Sequence, residues 1–346
     1  MGARAWVRRG RVAVTAVGVI LAGATLAACS GGPASNVLTL YNGQHPETTE
    51  ALVTAFEHET GITVLVRNAD EDTLTNQITA EGARSPADVV FTENSPPLEF
   101  LSERGFLTQV APSTLARVPA RFSSPSGEWV GVSARVSVLV YNTDLVARHE
   151  LPTSVLELAQ PKWRGKLALA PGETDFQPIV TSVERRYGEA AALRWLEGLK
   201  ANAGNHLYPD NETVTAMVNS GQAAIGIINQ YYWYRLAAEN GAAGTHSAIA
   251  FFEPHDPGYV VDVSGAGILR SSPHRAEAQR FLAFLVSDQG QRIIAHSESF
   301  EYPLVPGVAP PGGQRPLDQL QPTSISVADL GDGSTAVALL QKAQLL

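Results

Sequence analysis

"VLTLYNGQHPETTEALVTAFEHETGITVLVRN", residues 37–68, carries the pattern that decides the fold. Residues 37–43 read as a strand that ends at a polar turn. Residues 46–61 place Ala51, Leu52, Ala55 and Phe56 at helical spacing and stop at Gly61. Residues 62–68 read as a second strand. The alternation continues with "EDTLTNQITAEGARS" (71–85) as a helix, "ADVVFTEN" (87–94) as a strand and "SPPLEFLSERGFL" (95–107) as a helix. Strand, helix, strand, helix, strand predicts parallel strands joined by right-handed crossovers. In such sheets ligands gather beyond the carboxyl ends of the strands. Those ends carry His45 and Glu93.

A second α/β region follows. "WVGVSARVSVLVYN" (129–142) is a β-rich run too long for one ordinary strand. "GKLALA" (165–170) reads as a strand, 179–202 as two helices, and "AAIGIIN" (223–229) as a strand. Residues 232–241 read as a helix stopped by Gly241, residues 248–254 and 259–269 as strands, and residues 274–297 as helices again. The predicted fold class is α/β: a two-lobed clamp with hinge strands near 133–138 and 261–266 and a ligand between the lobes. The expected lobes are 37–135 with about 262–314, and about 136–261 with 315–346.

The chain of 346 residues has length for roughly two domains, and its 44% apolar content supplies their cores. Before residue 30 it holds Arg4, Arg8, Arg9 and Arg11 and no acid, followed by an apolar stretch from Val12. That is a secretory signal over 1–28. It ends in Leu26-Ala27-Ala28-Cys29, which resembles the bacterial lipoprotein box and implies cleavage before Cys29 and lipid on its sulfur. Residues 29–36 read as a flexible tether. Cys29 is the only cysteine, so no internal disulfide is available. Of 25 basic residues, 21 remain after those four arginines, against 34 acidic, a balance of −13. Such a surface excludes nucleic acid as a partner. The expected place is the extracytoplasmic face of the cell membrane, as a lipid-anchored monomer.

"NQYYWY" (229–234) sits between the strand 223–229 and the following helix. Neighbours on a strand point to opposite faces, and neighbours in mid-helix lie about 100° apart. A strand-to-helix turn is where Tyr231 and Tyr232 can aim at one point. A phenol has a pKa of about 10, but a bound cation can hold it deprotonated at neutral pH. Two phenolates suit a hard trivalent ion such as Fe(III) better than zinc. Aromatic packing, or a platform on which a sugar stacks, is the alternative for the pair. His45 has the alternative of a polar helix-entry residue, and Glu93 that of a solvated loop acid. Together, His45, Glu93, Tyr231 and Tyr232 would supply four protein ligands around one ion.

"YNGQHPE" (41–47), "ADVVFTEN" (87–94), "PKWRGKLALA" (161–170) and "NQYYWY" (229–234) resemble, in order and spacing, the bacterial ferric-ion-binding proteins of iron importers. The resemblance covers nearly the whole chain after the signal. It implies the periplasmic-binding-protein clamp, Fe(III) as transported ligand and the permease of an ABC importer as partner. It places the metal ligands on His45, Glu93, Tyr231 and Tyr232, and Asn211 and Asn229 at positions that help hold an anion in one branch. In the best-known branch a Ser-Gly-Ala turn at a helix N-terminus binds phosphate. The matching stretch here, "APGETDFQPIV" (170–180), carries Glu173, Thr174 and Asp175. Two carboxylates repel an anion that a helix terminus would otherwise attract. Carbonate or an organic carboxylate is therefore expected as synergistic anion ahead of phosphate. Arg135 is its candidate fork, with Thr174 also in the anion set. The alternative for Arg135 is a structural ion pair across the hinge.

No HExxH, Walker, GxSxG or paired-cysteine metal motif is present. Two rivals to an iron receptor remain. The same clamp would bind a sugar, a polyamine or thiamine, with Tyr231 and Tyr232 as a stacking platform. An extracytoplasmic hydrolase would use His255 and Asp256, which otherwise read as a loop near the second hinge. The expectation is that the chain is not an enzyme.

Overall fold

The computed structural model describes residues 36–346. The expected signal segment 1–28, the lipidation site Cys29 and the tether up to residue 35 lie outside the described residues. In chain order the first elements are β1 (Val37–Asn42), α1 (Pro46–Thr60), β2 (Thr63–Asn68), α2 (Glu71–Glu81), β3 (Val89–Thr92), α3 (Ser95–Glu103), β4 (Leu107–Thr108), α4 (Pro112–Leu115) and β5 (Trp129–Asn142). Next come β6 (Leu167–Ala168), α5 (Gln177–Tyr187), α6 (Glu189–Ala203), α7 (Asn211–Asn219), β7 (Ile225–Asn229) and α8 (Gln230–Gly244). The last are β8 (Ser247–Ala250), β9 (Val261–Leu269), α9 (Arg275–Leu285), α10 (Asp288–His296), β10 (Tyr302–Pro303) and α11 (Ser334–Lys342).

The opening crossover forms as its pattern dictates. β1 pairs in parallel with β2 and with β3. Pro46 begins α1, where its missing N–H leaves no bond unmade. Gly61 ends α1 in the left-handed conformation, with φ 68°. The face that α1 buries differs from the expected one. Thr49, Leu52, Val53 and Phe56 are buried, whereas Ala51 is exposed. The buried set runs i, i+3, i+4, i+7, and Ala51 falls off that stripe. Phe56 meets Phe281 of α9 edge-on, with ring centroids 5.0 Å apart.

The run 129–142 is one buried strand, β5, and the spine of the molecule. The strand order is β2-β1-β3-β9-β5-β7-β6. β5 pairs with β9 from Trp129 to Val136 and with β7 from Ser137 to Tyr141. β10 pairs with Ser133 and Ala134, and β8 with residues from Leu139 to Asn142. Both edges of β5 therefore change partner between 134 and 139, overlapping the stretch 133–138 read as a hinge. The fold is a two-lobed α/β clamp of the periplasmic-binding type. Residues from Asn36 to Leu346 pack as one unit.

Candidate metal centre

His45 caps the N-terminus of α1, just past β1, and Glu93 follows β3, the neighbour of β1. The parallel pairing brings both residues to one sheet edge. His45 Nδ1 lies 2.9 Å from Glu93 Oε1. With Nδ1–H donating there, the lone pair of Nε2 is left for a metal. Nε2 is buried and has no hydrogen-bond partner among the described residues. Burial works against a charge on His45, but the Glu93 carboxylate outweighs it and raises the imidazole pKa. Burial also works against the Glu93 charge, yet His45 and Arg135 hold that carboxyl down at about 2.

Tyr231 and Tyr232 occupy the first turn of α8, directly after β7. Their ring centroids are 4.1 Å apart, and both rings are buried. Both hydroxyls reach a single oxygen, Asp175 Oδ2, at 3.3 Å from Tyr231 and 2.9 Å from Tyr232. Tyr232 also lies 3.3 Å from Glu173 Oε2. Burial first, then the Asp175 charge, lifts both phenols well above their ordinary range. The His45 and Tyr231 rings meet edge to face, with centroids 5.2 Å apart. His45, Glu93, Tyr231 and Tyr232 are thus linked in a chain of contacts, the tyrosines buried and His45 and Glu93 half-buried.

Glu173 and Asp175 both point at the tyrosine hydroxyls. They do not act alike, because burial and the Asp175 charge push the Glu173 carboxyl up to about 9. Glu173 thus holds its proton more tightly than an ordinary carboxyl.

Arg135 has no exposed surface and is ringed by acids. It pairs with Glu301, with Asp175 at 3.4 Å and with Glu93 at 3.5 Å. A wholly buried guanidinium must be paired in this way. The fork expected to grasp an external carbonate is thus already engaged by the protein's own carboxylates. Of the other anion candidates, Asn211 Nδ2 reaches Glu173 at 3.1 Å and Asp175 at 3.3 Å. Thr174 accepts from Asn94 Nδ2 at 3.1 Å. Asn229 Oδ1 accepts from Ser137 Oγ at 3.5 Å, and no hydrogen bond ties it to the tyrosine hydroxyls among the described residues.

Sequence reasoning missed several residues of this centre. Glu301 braces Arg135 and also accepts from Gln44 at 3.0 Å and Ser133 at 2.8 Å. Glu71 accepts from the Glu93 and Asn94 amides at 2.9 and 3.0 Å and so fixes the turn that aims Glu93. Burial lifts the Glu71 pKa to about 8. Asn94 bridges Glu71 at 2.9 Å and Asp175 at 3.1 Å. His255 Nδ1 lies 3.1 Å from the Pro322 carbonyl, and Asp256 accepts from the Val155 and Gly258 amides at 3.1 and 2.8 Å. Both serve loop structure.

Residues 84–322 match the family model described as bacterial extracellular solute-binding protein. Over 338 residues the chain is 36% identical to the Fe(3+)-binding periplasmic protein of Serratia marcescens, covering 97% of this chain and 98% of that one. The chain belongs to the bacterial ferric-ion-binding protein family. A second member, the major ferric iron-binding protein of Neisseria meningitidis serogroup B, is 36% identical over 331 residues, 95% of this chain and 98% of that one. Among solved members of the family, iron-bound HitA of Pseudomonas aeruginosa shares 40% identity, with a TM-score of 0.84 over 89% of this chain and 99% of that one. FutA of Trichodesmium, in complex with iron and citrate, shares 30% identity, with a TM-score of 0.79 over the same shares of the two chains.

Proposed function

We propose that this protein is an extracytoplasmic Fe(III) receptor that delivers iron to the permease of an ABC importer, and that His45, Glu93, Tyr231 and Tyr232 bind the ion. The observation that carries this is the convergence of two buried phenol oxygens on one point beside the partnerless Nε2 of His45. Hard oxygen donors with one imidazole fit a hard trivalent ion. A stacking platform would need an open ring face. Tyr231 is instead enclosed by Tyr232, by the His45 ring and by the Arg135 guanidinium 5.3 Å from its centroid. A hydrolase would need His255 and Asp256 free for a substrate, and both are engaged in loop contacts. The relatives named for ferric iron support the same conclusion.

Two lobes would then close on the ion: 37–135 with about 262–314, and about 136–261 with 315–346. The partner change along β5 supports these limits, as does the packing of α11 on α5 and α6. We also place the chain on the membrane through lipidated Cys29, as a monomer with no catalytic step. Mass analysis of the membrane-bound protein tests the lipid. Metal analysis and a visible spectrum of the purified protein test the ion. One iron per chain and a red-brown phenolate-to-iron band are expected. Tyr231→Phe and Tyr232→Phe should each weaken binding and shift or remove that band. Unchanged spectra in both variants would make the tyrosines packing residues.

A further inference from the structure

We infer that Asp175 is itself a ligand of the transported iron, a protein carboxylate standing where an anion from solution would otherwise complete the shell. This rests on the Fe(III) assignment above. Asp175 Oδ2 lies 2.9 and 3.3 Å from the two phenol oxygens. Adjacent oxygens of an octahedron around a small hard ion, with bonds of about 2.0–2.1 Å, sit about 2.9 Å apart. Asp175 Oδ2 thus lies from each phenol oxygen at close to the spacing of neighbours in one coordination shell. The nitrogen of that shell is supplied independently by the partnerless Nε2 of His45.

The carboxylate is held to present one oxygen. Oδ1 is fixed by Asn94 Nδ2 at 3.1 Å and Arg135 Nη1 at 3.4 Å. Oδ2 takes the phenols and Asn211 Nδ2, the latter at 3.3 Å. Arg135 Nη1 also touches Glu93, so one guanidinium nitrogen spaces the two acids on either side of the centre. Arg135 is pinned behind them by Glu301.

Charge points the same way. Within the shell itself, Fe(III), two phenolates and the carboxylates of Glu93 and Asp175 sum to one negative charge. A dianionic phosphate would bring this to three in a buried site, where uncompensated charge is costly. Asp175 supplies the anionic oxygen without that added charge.

The test is an iron titration in HEPES freed of phosphate, carbonate and carboxylates, with iron delivered from acetohydroxamate. Wild type should bind one Fe(III) with its phenolate band, and added phosphate or carbonate should leave affinity and band unchanged. Asp175→Ala should bind iron at least a hundredfold more weakly with a shifted band, and acetate or formate should restore both. A merely structural Asp175 would show no such rescue. If Asp175→Ala does not fold, Asp175→Asn carries the test, with weakened binding and a shifted band expected. Asp175→Ala (or Asp175→Asn, if used) with the wild-type affinity and band would overturn the inference. So would a tenfold gain by wild type on adding phosphate or carbonate. Failure of wild type to bind iron or show any phenolate band would sink the Fe(III) assignment itself, a result distinct from either of these.

Discussion

Glu301 and Asp262 show how differently buried acids act around Arg135. Glu301 holds the guanidinium that faces both Glu93 and Asp175, and neither Glu301 nor Arg135 is exposed to water. Removing one partner of a buried pair strands the other. Glu301→Gln should therefore lower the stability of the iron-free protein by about 3–5 kcal/mol, read from urea unfolding. A midpoint equal to wild type would mean that Asp175 and Glu93 alone satisfy Arg135. Asp262 lies opposite Arg135 on β9 and accepts from Ser95 Oγ at 2.5 Å and from the Val263 amide at 2.7 Å. Burial dominates there and raises its pKa from 3.8 to about 6. Between those values the folded chain keeps a proton that the unfolded chain has lost. Stability from this group is thus greatest at low pH, falls as pH rises from about 4 to about 6, and then levels. Asp262→Asn should lack that fall and should be more stable than wild type at pH 8, by up to about 3 kcal/mol. Parallel pH–stability curves for the two proteins would contradict this.

Gly43, at the join between β1 and α1, is small because α2 presses against it. A Cβ there would lie 2.8 Å from Glu71 Cβ and 3.1 Å from Glu71 Cα. Gly43→Ala should cost about 1–3 kcal/mol, seen in thermal unfolding. It should also weaken iron binding, because the displaced Glu71 orients the turn bearing Glu93. Stability loss with unchanged iron affinity would show that the turn holds its shape without α2. Periodicity made β1, α1, β2, α2 and β3 legible, since each pairs a regular apolar pattern with a cap or turn. The shorter strands were less so: "GKLALA" yields only Leu167–Ala168, and the strand read over 248–254 stops at Ala250. β8 is short because β5, its partner, gives that edge to β9 beyond Leu139. Such limits are set by a distant strand and leave no local mark. His45, Glu93, Tyr231 and Tyr232 were legible because strand ends and a strand-to-helix turn aim them. Glu71 and Glu301 were not, because a buried acid at a helix start or in a loop has the same sequence signature as a solvated one. Asp175 was noticed for its charge, but its role depends on a side-chain direction that only packing fixes.

At the scale of the whole molecule, acid should release the cargo. Phenols with a pKa of about 10 carry protons at neutral pH, and each must leave as its oxygen binds iron. Two protons released per ion make affinity fall about a hundredfold per pH unit. Apparent affinity measured between about pH 8 and pH 6 checks this slope. A flat profile would mean that the phenols do not bind as phenolates. β5 has a mechanical meaning as well. Its two ends belong to different sets of strands, and Arg135 lies where the partners change. The strand is then an axle, and the arginine a latch seated on it between an acid that follows β3 and an acid that precedes α5. Torque that turns one end against the other pulls this latch from one acid or the other. The pairs of Arg135 with Glu93 and Asp175 thus make the twist of a single strand felt at both acids.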